Sequence, residues 1–139
     1  MKNNIVSFKT FKQKHKLGDS VTSFVLWKVN TIANGTGLIG YRSQKVVQGI
    51  IDSLYKSLKC NPDLVPLVSW KKHPHHLMIF ENGFKIYFRP SGYDGEAYRG
   101  VHVKTFAIKY EDWSAEDKKT MVEFRRTADT GCVIKYITY

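Results

Sequence analysis

The apolar side chains Val46, Val47, Ile50, Ile51, Leu54 and Leu58 recur at intervals of three and four, marking the clearest helix of the chain. Ser43 stands where it can cap that helix. Upstream, Asn34-Gly35-Thr36-Gly37 is a strong turn signal, and Leu38-Ile39-Gly40-Tyr41 reads as a short buried strand leading toward the cap. A strand feeding a one-faced helix is the unit from which layered α/β sheets are built.

The rest of the chain continues the alternation. Ile5 to Phe11 is β-prone and is followed by a basic loop and then a helix from Asp19 to Thr31, fitted by the spacing of Val21, Phe24, Val25 and Lys28. Asn61-Pro62 and Pro66 break the pattern after the long helix. Residues 76–80 and 84–88 flank Asn82-Gly83, the turn pair most typical of a β-hairpin. Arg89 to Gly100 reads as a loop and Val101 to Lys109 as β. Ser114-Ala115-Glu116-Asp117 resembles a capping box, with Asp for the usual Glu/Gln, and opens a helix toward Phe124. Cys132 to Thr138 is the last strand. The order predicts an α/β fold, a mainly parallel sheet flanked by helices with one inserted antiparallel hairpin. A length of 139 residues suits a single domain spanning 1–139.

Between the first strand and helix, Lys14-His15-Lys16-Leu17-Gly18-Asp19-Ser20 has the outline of a phosphate-binding loop. In such a loop, backbone N–H groups and a Lys hold the β/γ-phosphates, and a Ser/Thr hydroxyl holds Mg²⁺. Ser20 supplies the hydroxyl, but Asp19 stands where the lysine belongs. Its carboxylate suits a helix N-terminus and repels a triphosphate.

With 22 Lys+Arg against 12 Asp+Glu, the formal charge is +10, which favours nucleic acid or an acidic protein surface as partner. Lys12, Lys14, Lys16, Lys71, Lys72, Arg125 and Arg126 could form a nucleic-acid face aided by Trp70, Tyr93 and Tyr98, or could be scattered solubility charge. Trp27 and Trp113 read as packing residues. Cys60 and Cys132 lack Cys-x-x-Cys spacing and read as free thiols in a reducing compartment, with a disulfide between them left open. Residues 1–7 lack the apolar core of a signal peptide, and no apolar run approaches the ~20 residues that cross a bilayer. The expectation is an intracellular protein without a membrane partner.

Two other clusters invite competing chemistry. His73-Pro74-His75-His76, with His102, suggests a metal, but no Cys or Asp lies at ligand spacing and a solvated lead into the hairpin explains it. Asp94, Glu96, Glu111 and Asp112 could be gathered into a metal-dependent nuclease site, or could be solvated and paired with nearby Lys.

Taken in order, these segments resemble the ATPase domain of viral large terminases, the motors that package DNA. Lys16-Leu17-Gly18-Asp19-Ser20-Val21-Thr22 looks like that family's Arg-Gln-x-Gly-Lys-Thr-Thr loop, and Gly40-Tyr41-Arg42-Ser43-Gln44 sits where its second strand enters a helix. The hairpin around Asn82-Gly83 is similar to the family's Asn-Gly-Ser turn, and Tyr98-Arg99-Gly100 to the Arg-Gly element after it. Thr105 to Glu111 resembles the strand ending in the Asp-Glu pair that holds Mg²⁺ and activates water, and residues 133–138 the strand leading to the coupling motif.

The resemblance covers nearly the whole chain and departs at the chemistry. Asp19 replaces the phosphate-binding Lys, and Tyr110 the metal-binding Asp, leaving Glu111 of the acidic pair. Phosphoryl transfer is largely positioning and charge stabilisation, so both losses together imply an inactive ATPase needing neither ATP nor Mg²⁺. The expected function is a viral regulatory module that binds nucleic acid, with Arg99 among the candidate contacts, or a protein of a viral or host nucleic-acid machine. It would act in the host cytoplasm or on the virion. One alternative is residual hydrolysis, with Lys12, Lys14 or Lys16 reaching the phosphates and Glu111, or Glu111-Asp112 after a one-residue shift, acting on the other side. Others are the small nuclease and a structural subunit of a viral assembly.

Overall fold

The computed structural model describes residues 7–18, 20–72, 74–110 and 118–137. Asp19, His73, Glu111, Asp112, Trp113, the segment Ser114-Ala115-Glu116-Asp117 and Thr138 lie outside them.

Helix α1, Phe8–His15, leads to α2, Val21–Thr31, and then to β1, Thr36–Tyr41. Helix α3, Gln44–Cys60, follows, and then strands β2 (Leu67–Lys71), β3 (Leu77–Phe80) and β4 (Lys85–Pro90). A 3₁₀ helix, Tyr93–Tyr98, precedes β5 (Phe106–Tyr110), α4 (Lys118–Arg126) and β6 (Val133–Ile137). The six strands form one sheet in the order β2-β3-β4-β1-β5-β6. β4, β1, β5 and β6 run parallel, whereas β2 and β3 are antiparallel to their neighbours. The sheet is therefore mostly parallel and flanked by helices, the architecture that the alternation predicts.

Two cores hold the layers together. On one face, Phe11 of α1, Phe24, Val25 and Leu26 of α2, and Val47, Ile51 and Leu54 of α3 pack on Ile39, Ile86, Phe88, Phe106 and Ile108. On the other face, Tyr98 and Phe124 pack on Leu38 and Ala107. The alternation of Leu38 with Ile39, and of Ala107 with Phe106 and Ile108, is the period-2 signature of strands buried on both sides.

The long helix behaves as its stripe requires. Ser43 Oγ accepts the Val46 N–H at 3.3 Å as N-cap. The Asn82-Gly83 turn forms with Gly83 at φ 85°, and Asn82 pins it to α2 by donating to the Val29 carbonyl at 2.7 Å.

Some elements differ from expectation. The run from Ile5 to Phe11 is not a strand within the described residues, because Phe8 begins a helix. Ser7 caps it by accepting the Thr10 N–H, and Phe11 and His15, one turn apart, are both buried. β1 begins inside the predicted turn, at Thr36. The hairpin carries a third antiparallel strand, β2, since Leu67–Lys71 pairs with β3. The predicted loop from Arg89 to Gly100 holds the end of β4 and the 3₁₀ helix, and only Phe106–Tyr110 of the run from Val101 is strand.

Candidate functional site: clefts at the strand ends

Parallel pairing brings the C-terminal ends of β1, β4 and β5, at Tyr41, Pro90 and Tyr110, to the same edge of the sheet. From β1 the chain passes to α3 on one face, and from the adjacent β4 to the 3₁₀ helix on the other. Such a divergence opens a crevice between neighbouring strands, the place where open α/β sheets receive ligands.

One cleft, of about 500 Å³, lies between the start of α2 and α3 and is lined by Ser20, Thr22, Lys45, Ser53 and Tyr110 among others. It unites two positions far apart in sequence, since Ser20 at the start of α2 and Tyr110 at the end of β5 share its wall. The described residues on either side of Asp19 bond back to their own helices. Lys16 takes a left-handed conformation, φ 56°, and the Lys16 and Leu17 N–H groups donate back to α1, to the Gln13 carbonyl at 3.3 Å and the Lys12 carbonyl at 2.9 Å. Ser20 Oγ caps α2 by accepting the Ser23 N–H at 3.1 Å, and Ser23 Oγ donates to the Gly18 carbonyl at 2.5 Å. Lys14 and Lys16 are exposed and absent from the cleft lining, and Lys12 lies 4.4 Å over the Phe8 ring.

The other site is a pair of adjoining clefts sharing His75 and Pro90 at the ends of β1 and β4. The first, about 640 Å³, is lined by Tyr41, Arg42, Lys72 and both His75 and His76. The second, about 530 Å³, is lined by Tyr87, Arg89, Glu96 and Arg99. Glu96 is the one carboxylate among the described residues that line the pair.

Arg89 defines the electrostatics here. It is half-buried, its Nη1 donates to the Phe88 carbonyl at 3.0 Å, and its guanidinium lies 5.4 Å from the Tyr87 ring centre. Burial lowers its pKa, while Tyr87, Tyr41 and Tyr98 act in the opposite sense. Arginine stays charged regardless, and no carboxylate among the described residues lies within ion-pair distance of it. Partial burial, then the charge of Arg89 and the neighbouring His76, push the His75 pKa below its ordinary value. Burial raises the Tyr41 pKa, against a hydrogen bond from Gln44 and the Arg89 charge. Tyr98 Oη donates to the Arg89 carbonyl at 2.9 Å, and the Ser91 N–H to the Tyr41 carbonyl at 2.7 Å, so the strand ends are fixed.

The expected basic face is not assembled from all its members. Lys72 and Arg99 reach the paired clefts, and Lys71 is exposed beside them at the end of β2. Arg125 and Arg126 stand on α4, where Arg125 Nε donates to Tyr136 Oη at 3.3 Å and Arg126 pairs with Glu123 at 3.1 Å. Lys12 and Lys14 are on α1, across the sheet. Arg42 and Arg89 escaped the sequence reading, although each directly follows an apolar strand residue near a strand end, a signal that becomes legible once those ends are known to be neighbours. His76 accepts the Trp70 Nε1–H at 3.1 Å through Nδ1 and stacks on that ring. Among the described residues no three His, Cys, Asp or Glu side chains gather as a metal site. Cys60 and Cys132 are both free thiols, and no described helix is long and apolar enough to cross a membrane.

No protein-family model matches the sequence, and no curated protein matches it. Solved structures do. The large terminase of a thermophilic bacteriophage, in complex with ADP, is similar over 84% of this chain and 28% of that one, with TM-score 0.59 and 12% identity. Another crystal form of the same terminase matches over 84% and 29%, with TM-score 0.53 and 17% identity. The chain thus has a terminase-like fold and spans under a third of the length of these neighbours.

Proposed function

We propose that this terminase-like domain binds nucleic acid as a regulatory module of a viral nucleic-acid machine and does not turn over nucleotide. The observation that carries the second half is the way the chain enters the Ser20 loop. A phosphate cradle needs a loop leaving the end of a strand with its N–H groups free to point at the ligand. Here a helix leads in, and the Lys16 and Leu17 N–H groups are used to close it. Ser20 is engaged as a helix cap, and in the sequence Asp19 and Tyr110 stand at the positions where the resemblance calls for a lysine and a metal-binding aspartate. The bacteriophage terminase was solved with ADP, and likeness of fold does not carry that binding over to this chain.

Nucleic acid is favoured as the partner by the charge of +10 and by the cation-lined clefts at the strand ends. The test is calorimetry with Mg–ATP beside binding of labelled DNA. Absence of saturable ATP binding at millimolar concentration together with salt-sensitive DNA binding is expected, and ATP hydrolysis abolished by Glu111→Gln would overturn the proposal. The half-exposed Val133, Ile134 and Tyr136 on edge strand β6 favour a second reading, docking on a protein partner. Association that ignores salt would support it.

A further inference from the structure

We infer that the paired clefts at the ends of β1 and β4 are a phosphate-binding site, in which Arg89 and Arg99 hold successive phosphate groups of a nucleic-acid strand and Arg42 and Lys72 extend the track. The site rests on its own geometry. Only the identity of the ligand rests on the nucleic-acid reading above.

Solubility charge does not account for this arrangement. A surface lysine or arginine is fully hydrated, whereas Arg89 gives up part of its hydration and receives a backbone carbonyl and the Tyr87 ring in exchange. Withdrawing a cation from water without an anion beside it is unfavourable, and an anionic ligand would supply the missing partner. The surroundings sharpen the same point. His75 and His76 carry no negative charge, and among the described residues of the lining the exposed Glu96 is the sole acid against Arg42, Lys72, Arg89 and Arg99, so these side chains give the clefts an excess of positive charge. The long helix α3 directs its N-terminal dipole toward the same edge, with Gln44 of its first turn in the wall.

The chemistry fits phosphate better than carboxylate. Guanidinium groups offer planar paired donors, and Arg99, exposed just beyond Tyr98, can turn toward a ligand seated on Arg89. Two clefts joined at His75 and Pro90 provide room for consecutive phosphates rather than one ion, and their size is that of a nucleotide-binding cleft.

The experiment is a titration of the full chain with a short labelled DNA strand, and separately with inorganic pyrophosphate, followed by anisotropy and by amide NMR shifts. Arg89→Gln and Arg99→Gln are expected to weaken DNA binding roughly tenfold each and to lower the slope of log affinity against log salt by about one. Lys56→Gln, the same charge change on the exposed flank of α3, is expected to leave both nearly unchanged. Arg99 is exposed, so its variant decides the matter even if Arg89→Gln fails to fold. DNA binding that the groove variants do not weaken would overturn the site and leave the nucleic-acid reading standing. Pyrophosphate shifts at His75, Arg89 and Arg99 without DNA binding would support the site and refute that reading. Binding of neither would refute both.

Discussion

His75 is the side chain through which the charge of the clefts can be read. Arg89, His76, Arg99, Lys72 and Arg42 surround it with positive or neutral groups, and among the described lining residues Glu96 alone opposes them. Its pKa in the folded protein lies below the unfolded value of about 6.5. Its contribution to stability is therefore complete above that value and falls away as pH drops through it toward the folded pKa, because the unfolded chain then binds the extra proton. A bound phosphate reverses the local field. NMR titration is expected to show the His75 midpoint rising when pyrophosphate is added; a midpoint indifferent to the anion would place the ligand elsewhere. Cys132 offers a second residue-level check. Burial, with Asp129 nearby, pushes its thiol up to about 11, so roughly one molecule in a thousand carries the thiolate at about pH 8. Iodoacetamide at that pH is expected to label exposed Cys60 well before Cys132, which mass spectrometry of timed digests would read.

At the scale of elements, the sheet depends on a few local devices. Ser43→Ala removes the α3 cap and is expected to cost about 1 kcal/mol in urea unfolding. Gly37→Ala would drive a Cβ into the Phe106 ring, which closes over β1, and is expected to cost about 1–3 kcal/mol by the same measurement. Elements with one dominant signal were legible in sequence: α3 from its stripe and cap, and the β3–β4 turn from Asn82-Gly83. α1 was not. Its aromatic pair Phe8 and Phe11 sits in a run short enough to pass for a strand, and the deciding features are the Ser7 cap and the burial of His15, a polar residue that a hydrophobic pattern omits. β2 was missed because Trp70 and Ser69 are only half-buried on an edge and prolines precede them.

For the whole molecule, the order of parallel strands determines which residues become neighbours. Ser20 and Tyr110, distant in sequence, meet in one cleft, whereas the basic groups that could have formed one face are divided between the two sides of the sheet. Arg89 and Arg42 gained significance only from the pairing of β1 with β4, a long-range fact that local patterns do not carry. The fold was thus largely readable, and the cation-lined clefts were not. The most direct measurement is the affinity for a short DNA strand across a range of salt, with and without millimolar Mg–ATP. A nucleic-acid-binding domain lacking a working nucleotide site predicts affinity that declines steeply with salt and is unmoved by ATP. Affinity gated by ATP, or none at low salt, would contradict it.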